Sequence, residues 1–324
     1  MKAIITERYG TPDVLEFKET AKPTPKDNEV LVKIHAASLN MFDWHLLTAD
    51  IFLVRLNAGF FKPKYKIPGA DVAGRVEAVG KNVTQFKVGD EVYGDLAASG
   101  CGSFAEYVAV PEKALALKPV NLTFEEAAAF PMAAVTALQG LRDAGKLQAG
   151  HKVLIQGASG GVGSFAVQIA KVLGAEVTAV CSTRNMELVR SLGADHVIDY
   201  TKEDFTKNGK QYDLILAVNG YHPITDYKGA LTSKGIYVMA GGTTKQIFEA
   251  VLRGSFVSEK DGRKLGALTA QPKQADLIYL KGLAEAGKVK PVIDKRYPLS
   301  ETAQALRYLG EGHARGKVIL TVAS

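Results

Sequence analysis

The sequence predicts an α/β fold made of a β-rich domain and a doubly wound parallel sheet. Three observations favour this fold class. Short apolar runs separated by glycine and asparagine occupy the first third of the chain, strands and helices alternate after about residue 123, and a glycine-rich turn joins one of those later strands to a helix. Alternating β and α elements are typical of a parallel sheet covered by helices.

Length and composition are those of a globular protein with about two domains. The 324 residues are 47% hydrophobic and 23% charged, and the net charge of +6 is spread without a block of like charges. This pattern gives no indication of nucleic-acid or membrane-surface binding. The N-terminus lacks the apolar stretch of a signal peptide, and no run reaches transmembrane length. Two cysteines, Cys101 and Cys181, cannot build a disulfide framework, so we expect a cytoplasmic protein.

The β-rich domain begins with a half-buried strand, because EVLVKIHAASLN alternates apolar and polar side chains. Three further short runs, DVAGRVEAVG, GDEVYGDL and GSFAEYVAV, predict a compact barrel or sandwich. The C-terminal segment offers two helices and a strand that find no place in a filled parallel sheet, so it is expected to return to this first domain. The predicted limits are 1–123 and 268–324 for the first domain and 124–267 for the second.

The second domain opens with a helix whose start is marked by a capping-box pattern, Thr123 followed by Glu126. The helix is expected to continue through TFEEAAAFPMAAVTALQGLRDAG. Strands and helices then alternate, as in successive βαβ units. The predicted strands are KVLIQ, EVTAVCS, HVIDY, YDLILAVNG, GIYVMAGG and LGALTA.

The turn after KVLIQ contains four glycines, at 157, 160, 161 and 163. A helix N-terminus has unpaired N–H groups and a partial positive charge, which attract a phosphate. Glycines let the backbone turn tightly and approach a pyrophosphate closely. Because a strand precedes the turn and a helix follows it, the pattern predicts a dinucleotide site, with a purely structural turn as the alternative.

The residues after the second parallel strand indicate which dinucleotide binds. A site for NAD usually places Asp or Glu there to bind the ribose 2′-hydroxyl. The stretch here is Cys181-Ser182-Thr183-Arg184-Asn185, which offers two hydroxyls and a guanidinium to a 2′-phosphate. We therefore expect NADPH. The alternative for Arg184 is a solvated residue at the start of a helix.

The segment GHKVLIQGASGGVGSFAVQIAK resembles the signature of the zinc-independent medium-chain dehydrogenase/reductases, in the quinone oxidoreductase (ζ-crystallin-like) family. Segments such as ASLNMFDW, IPGADVAGRVEAVG and HARGKVIL extend the resemblance over essentially the whole chain. It implies a GroES-like catalytic domain built from both chain ends, with a Rossmann domain inserted between them. It also implies NADPH-dependent reduction of quinones or α,β-unsaturated carbonyls by hydride transfer. Family members are commonly dimers, so a homodimer that pairs sheet edges near GIYVMAGG is expected.

The resemblance further implies which residues bind the cofactor. The glycine-rich turn would hold the pyrophosphate, the ends of the second and third strands the 2′-phosphate, and the central helix with the ends of the fourth and fifth strands the nicotinamide half. The residues are Ser159, Gly160, Gly161, Val162 and Gly163 for the first group, Ser182, Arg184 and Tyr200 for the second, and Thr136, Asn219, Ala240 and Gly241 for the third. For Tyr200 the alternative is a packed tyrosine at a strand end.

Three positions that bind catalytic zinc in zinc-dependent relatives carry Asn40, Ala70 and Met132 here. A catalytic zinc needs about three protein ligands with N, S or O donors. Ala70 cannot be a ligand, and an amide or a thioether is a poor one. We therefore expect no metal.

Asn40 and Asp43 are the candidate catalytic residues. Reduction of an activated C=C bond or a quinone needs a hydrogen-bond donor for the carbonyl oxygen and a source of a proton. The Asn40 amide can donate, and Asp43 can orient its neighbours; the alternative is that they cap a turn and a helix. The substrate is expected to be a small apolar carbonyl compound or quinone, and the segment 50–66 either lines its pocket or forms a dimer or surface contact. The alternative functions are an enoyl-thioester reductase and a non-catalytic NADPH-binding redox sensor.

Overall fold

The chain forms two compact units, each of which is described by itself. The computed structural model describes residues 1–51, 55, 58–242 and 262–322. The first unit comprises Met1–Ala133 and Pro272–Ser324, and the second comprises Ala134–Gln271. The sequence assigned the capped helix after Thr123 to the second domain, whereas its residues belong to the first unit.

The first unit is built from antiparallel sheets with one parallel pairing at an edge. Its strands are β1 (Lys2–Ile5), β2 (Glu16–Glu19), β3 (Glu29–Leu39), β4 (Asp71–Val79), β5 (Glu91–Asp95), β6 (Tyr107–Pro111), β7 (Leu115–Leu117), β14 (Ile293–Pro298) and β15 (Lys317–Thr321). Strands β1 and β2 form a two-stranded sheet, and the others form a larger sheet in the order β14-β15-β3-β4-β5-β7, with β6 also paired to β3.

Strand β15 brings the end of the chain back to its beginning. It pairs antiparallel with β3, so that Val318 lies opposite Leu39. The first unit thereby gains a buried lysine, Lys317, beside residues that precede it by more than 200 positions. Strand β14 was not predicted, because its sequence IDKRYP is charged and none of its side chains is fully buried.

The second unit contains a six-stranded sheet in which every described pairing is parallel. Its strands are β8 (Lys152–Gln156), β9 (Glu176–Cys181), β10 (His196–Asp199), β11 (Tyr212–Ala217), β12 (Leu231–Met239) and β13 (Lys264–Ala267). Their order, β10-β9-β8-β11-β12-β13, is that of the Rossmann dinucleotide-binding fold. All six predicted strands are confirmed. The segment GIYVMAGG, near which the edge of a dimer was predicted, lies largely in β12. This strand is paired on both sides, with β11 and β13, so it is not an edge of the sheet.

The helices are α1 (Met41–Thr48), α2 (Phe124–Ala128), α3 (Pro131–Leu138), α4 (Gly161–Val172), α5 (Met186–Ser191), α6 (Ile224–Gly229), α7 (Gln274–Glu285) and α8 (Thr302–Gly310), with a π-helical turn over Gln139–Ala144. Short 3-10 helices cover Pro12–Val14, Ala97–Ser99, Glu112–Ala114, Thr183–Asn185 and Leu299–Glu301. None of the described helices is long and apolar enough to cross a membrane.

The predicted capping box at the start of α2 is confirmed. The Thr123 hydroxyl accepts a hydrogen bond from the Glu126 amide at 3.2 Å, and the Glu126 carboxylate accepts one from the Thr123 amide at 2.8 Å. The single long helix expected there is wrong, because α2 ends at Ala128 and Pro131 begins α3. Proline lacks the N–H that a continuous helix needs, but it suits the first position of a new one.

Each unit has its own apolar core. In the second unit the central strand β8 is buried on both faces, and Val153, Leu154 and Ile155 are all fully buried. Such continuous apolar runs are typical of a parallel strand covered by helices. In the first unit the core packs around β3, where Val30, Val32 and Ile34 point to the same face.

Candidate active site

The glycine-rich turn lies at the carboxyl edge of the parallel sheet, between β8 and α4. Gly157 has a φ of +79°, and a Cβ there would lie 2.9 Å from the amide nitrogen of Asn219. A Cβ on Gly163 would lie 2.1 Å from the Gly157 carbonyl oxygen. These two glycines are therefore required by the packing of the protein itself, where backbone approaches backbone.

Gly160 is a glycine of a different kind. Its φ is −83°, which any residue can adopt, and a Cβ there would meet only the Gly157 carbonyl oxygen at 3.6 Å. It caps α4, and the N–H groups of Gly161, Val162 and Gly163 in the first turn have no acceptor among the described residues. Unpaired helix amides and the open space around Gly160 are features that suit an anion such as a pyrophosphate.

Asn185 connects two of the serines predicted to bind phosphates. Its Nδ2 donates to the Ser159 hydroxyl at 3.0 Å and to the Ser182 hydroxyl at 3.2 Å. Asn185 is buried, and its Oδ1 has no partner within the described part of the chain. Each serine oxygen accepts one hydrogen bond from Asn185, so the O–H of each serine can donate to another acceptor. Sequence reasoning gave Asn185 no role, although it lies at a helix start between two phosphate candidates.

Strand β10 ends at Asp199, a carboxylate to which the sequence analysis gave no role. The nearly buried Asp199 accepts hydrogen bonds from the hydroxyls of Thr183 and Thr201, and Lys202 lies 3.6 Å away. These bonds, that from Thr183 above all, lower the pKa of Asp199 to about 2. Its oxygens are thus engaged within the protein. The neighbouring Tyr200 is exposed, as is Arg184.

The predicted nicotinamide-side residues follow β11 and β12 at the same edge of the sheet. Asn219 contacts Gly157, as described above. The Ala240 amide donates to the Ala217 carbonyl at 2.8 Å, and a Cβ on Gly241 would lie 2.5 Å from the Val218 carbonyl oxygen. The structure therefore brings together the predicted residues that follow β8, β11 and β12. Thr136 is buried in α3, and no hydrogen bond from it to this edge is found among the described residues.

Asn40 and Asp43 lie in the first unit, at the start of α1. Asn40 is the N-cap residue, and its backbone N–H donates to the Asp43 Oδ2 at 2.8 Å. Asp43 therefore caps the start of α1, whereas the Asn40 side chain makes no capping hydrogen bond. Asp43 is 1% exposed, and its Oδ1 is buried without a partner among the described residues. Burial raises the pKa of Asp43 to about 8, because it disfavours the charged form.

The side chain of Asn40 is held between two buried charged groups. Its Nδ2 donates to the Asp71 Oδ2 at 2.9 Å, and its Oδ1 accepts from the Lys317 ammonium at 2.5 Å. Asp71 is fully buried and Lys317 is 3% exposed. The two charged groups are 3.2 Å apart.

Further bonds complete this cluster. Lys317 also donates to the Leu39 carbonyl at 3.1 Å, while the Asp71 carboxylate accepts from the Ser38 hydroxyl at 2.8 Å and from the Met132 amide at 2.9 Å. Sequence reasoning missed Asp71 and Lys317. Both lie in segments that carry the family resemblance, IPGADVAGRVEAVG and HARGKVIL, which was the available signal.

The residues at the zinc positions do not fit a zinc ion. Ala70 has no donor atom, and the Oδ1 of Asn40 already faces an ammonium group, which repels a cation. Within the described ranges, no group of three or more His, Cys, Asp or Glu side chains is placed to hold a metal.

The segment 50–66 is described only in part, since residues 52–54 and 56–57 lie outside the described residues, Phe52 among them. Arg55 lies over the Tyr9 ring at 5.2 Å, and the Tyr9 hydroxyl donates to the Gly59 carbonyl at 2.5 Å. Phe61 is 90% exposed, so it does not belong to the core of the first unit. Nearby Trp44 packs on Gly310 of α8, where a Cβ would lie 2.4 Å from its ring.

Comparisons with known proteins agree with this architecture. Residues 26–120 match the alcohol dehydrogenase GroES-like domain, and residues 192–320 match the zinc-binding dehydrogenase family. The chain is 37% identical to the chloroplast envelope quinone oxidoreductase homolog of Arabidopsis thaliana, covering 99% of this chain and 98% of that protein. It is 38% identical to the chloroplastic NADPH-dependent alkenal/one oxidoreductase of Arabidopsis thaliana, covering 99% and 79% respectively.

Solved structures show the same fold. The quinone oxidoreductase from Coxiella burnetii superposes with a TM-score of 0.86 at 31% identity, covering 100% of this chain and 99% of that chain. The CurK enoyl reductase superposes with a TM-score of 0.87 at 29% identity, covering 99% of both chains.

A GroES-like unit, a Rossmann unit and a glycine-rich turn between a parallel strand and a helix define a medium-chain dehydrogenase/reductase, an oxidoreductase that uses a nicotinamide cofactor. Within that class, the near full-length similarity to quinone oxidoreductases and the unsuitable zinc positions are decisive. The chain belongs to the zinc-independent quinone oxidoreductase family.

Proposed function

We propose that this protein reduces quinones or α,β-unsaturated carbonyl compounds with NADPH, by hydride transfer and without zinc. The observation that carries the proposal is the Asn40 amide, a hydrogen-bond donor held between buried charges where zinc-dependent relatives have a metal ligand. NADPH, when bound, supplies the hydride. The Asn40 N–H would stabilise the negative charge that develops on the carbonyl oxygen. The similarity to proteins named as quinone and alkenal/one oxidoreductases supports this substrate class.

The preference for NADPH over NADH is part of the proposal. It is supported by the hydroxyl of Ser182 and the exposed guanidinium of Arg184 at the end of β9, with Tyr200 at the end of the adjacent β10. The Asp199 carboxylate at the end of β10 already accepts hydrogen bonds from two threonine hydroxyls, so its hydrogen-bonding capacity is used within the protein. A guanidinium binds phosphate with charge-assisted hydrogen bonds.

The test is a spectrophotometric assay of NADPH oxidation with a panel of quinones, enones and enoyl thioesters. Turnover of quinones or enones supports the proposal. The alternative, an enoyl-thioester reductase, is favoured by the fold similarity to CurK and would show turnover of the thioesters only. Tight NADPH binding, measured by calorimetry, without turnover of any compound would indicate the redox-sensor alternative.

We also propose that the protein is a homodimer in the cytoplasm and that its substrates are small and apolar. Strand β13 is one of the two outer strands of the described parallel sheet, next to the predicted segment in β12, and offers an edge to a second copy. Cys101 and Cys181 are both free and buried, as suits a reducing compartment. Light scattering of the purified protein tests the dimer, and imaging of a fluorescent fusion in the source cells tests the compartment.

A further inference from the structure

We propose that Lys317 is a positioning residue for this reduction: together with Asp71 it fixes the amide of Asn40 in the orientation that leaves one N–H for the substrate carbonyl. The inference rests on the proposed function, because it concerns the donor that the reduction requires. Lys317 itself touches Asn40 and not the substrate.

The two neighbours of Asn40 specify the same amide orientation. A lysine ammonium has three donors and no acceptor, whereas a carboxylate only accepts. The oxygen of the amide must therefore face Lys317, and the nitrogen must face Asp71, as observed at 2.5 and 2.9 Å. In the flipped orientation, donor would face donor and acceptor would face acceptor. Two buried charges thus select one rotamer of a neutral side chain.

The ammonium is itself fixed. Its three hydrogen bonds go to the Leu39 carbonyl, the Asn40 Oδ1 and the Asp71 Oδ2, which matches its three donors. At 3% exposure, water has little access to replace any of them. The Lys317 side chain therefore cannot rotate away without leaving buried acceptors unpaired, which is costly.

A count of donors identifies the one that remains. The Asn40 amide has two N–H bonds, and one is used by Asp71. The second has no acceptor in the part of the chain that the structure describes, and Asn40 retains 9% exposure. A donor that is already oriented stabilises a developing oxyanion without reorganisation during the reaction. Lys317 and Asp71 supply that orientation.

A double-mutant cycle tests the proposal. Asn40→Ala should lower kcat by about 100-fold, the usual effect of removing one oxyanion donor. Lys317→Met should lower kcat by about 10- to 100-fold by releasing the amide, with kcat and kcat/KM falling together. If Lys317 acts through Asn40, the double variant Lys317→Met/Asn40→Ala should match Asn40→Ala alone within about twofold. Effects that multiply would overturn the proposal.

Stability is controlled separately, because Lys317→Met leaves the Asp71 carboxylate buried without its ammonium partner. The variant Asp71→Asn/Lys317→Met removes both charges together and should fold; it still lacks the donor that faces the Asn40 oxygen. The same cycle with Asn40→Ala is measured in that background, and multiplying effects there count equally against the proposal. Tyr93→Phe, which deletes a buried 2.6 Å hydrogen bond to the Leu277 carbonyl in the same unit, should keep kcat within about twofold.

The two proposals fail in different ways. If the unaltered protein oxidises no NADPH with quinones or enones, the proposed function fails. If it is active but Lys317→Met leaves kcat unchanged, only the role of Lys317 fails. The Kd for NADPH, measured by fluorescence titration, should be the same in all these variants, since the predicted cofactor residues belong to the second unit.

Discussion

At the residue scale, Arg184 should determine how strongly the protein distinguishes NADPH from NADH. A charge-assisted hydrogen bond contributes about 1.5–3 kcal/mol. Arg184→Ala should therefore raise the Kd for NADPH by about 10- to 100-fold while leaving the Kd for NADH almost unchanged. Calorimetric titration with both cofactors measures the two constants. Equal affinities for NADPH and NADH in the unaltered protein would contradict the role given to Arg184.

Asn185 should affect both cofactors, since its partners differ in what they are predicted to bind. Ser159 belongs to the turn for the pyrophosphate, which NADPH and NADH share, whereas Ser182 is expected at the 2′-phosphate. Asn185→Ala releases both serine hydroxyls, and one net hydrogen bond is worth about 1 kcal/mol. We expect the Kd for NADH to rise about fivefold and that for NADPH somewhat more. Arg184→Ala is the matched control, because it should weaken the binding of NADPH only. If Asn185→Ala left the Kd for NADH unchanged, the proposed role of Asn185 in holding both serines for the cofactor would be wrong.

At the scale of the element, the turn between β8 and α4 combines two kinds of glycine. Gly163 is required by the fold, because a Cβ there would lie 2.1 Å from the Gly157 carbonyl oxygen. Gly160 faces open space, where the pyrophosphate is expected. Gly163→Ala should therefore lower the Tm by several degrees, whereas Gly160→Ala should leave the Tm unchanged and weaken NADPH binding by about tenfold or more. Differential scanning fluorimetry with and without NADPH separates the two effects.

The pair of variants also carries its own control. Both substitutions add one methyl group to the same turn, three residues apart. If Gly160→Ala bound NADPH as tightly as the unaltered protein, the pyrophosphate would not approach the start of α4, and the predicted site would be wrong.

Elements whose stability depends on neighbouring residues in the sequence could be predicted. The capping box at Thr123 and Glu126 and the apolar run of β8 depend on residues within one turn or one strand, and both were predicted. The break at Pro131 was also readable from its missing N–H, but the alanine-rich sequence around it favoured one long helix. Strand β14 was missed because its stability comes from pairing with β15 and not from an apolar pattern.

At the scale of the whole molecule, chain topology sets the limit of what sequence reasoning can predict. The cofactor edge was predictable, because the carboxyl ends of parallel strands meet at one side of a sheet. The cluster around Asn40 was not, because Lys317 lies 277 positions away and reaches it only through the pairing of β15 with β3. Asn40 and Asp43 could be proposed from the family resemblance and the chemistry of their side chains, but the charges that hold them required the fold.

This buried cluster should make the stability of the protein depend on pH. The pKa of Asp43 is raised to about 8, chiefly by burial; the charges of Asp71 and Asp95 also act to raise it, whereas the hydrogen bond from the Asn40 backbone and the charge of Lys317 act to lower it. Burial and Asp71 also raise the pKa of Asp95, and burial raises that of the Cys101 thiol. The folded protein therefore keeps a proton on Asp43 across a range in which the unfolded chain has lost it.

The sign of the effect follows from this difference in bound protons. Between about pH 4, where the unfolded Asp43 ionises, and about pH 8, Asp43 binds more protons in the folded state, so its contribution makes the free energy of unfolding fall as the pH rises. Asp43→Asn, which has no proton to lose, should reduce this fall by up to about 1.4 kcal/mol per pH unit. Urea unfolding at a series of pH values measures the slope.

The matched control is Asp27→Asn, which removes a carboxylate that is 59% exposed and paired with Lys81 at the surface. Exposed pairs contribute little to stability, so this variant should follow the pH profile of the unaltered protein. Asp43→Asn should instead lose the part of the slope that Asp43 supplies and retain that of the other shifted groups, Asp95 among them. Parallel profiles for Asp43→Asn and the unaltered protein would mean that Asp43 is ionised in the folded state, and Lys317 would then balance two carboxylates beside Asn40 instead of one.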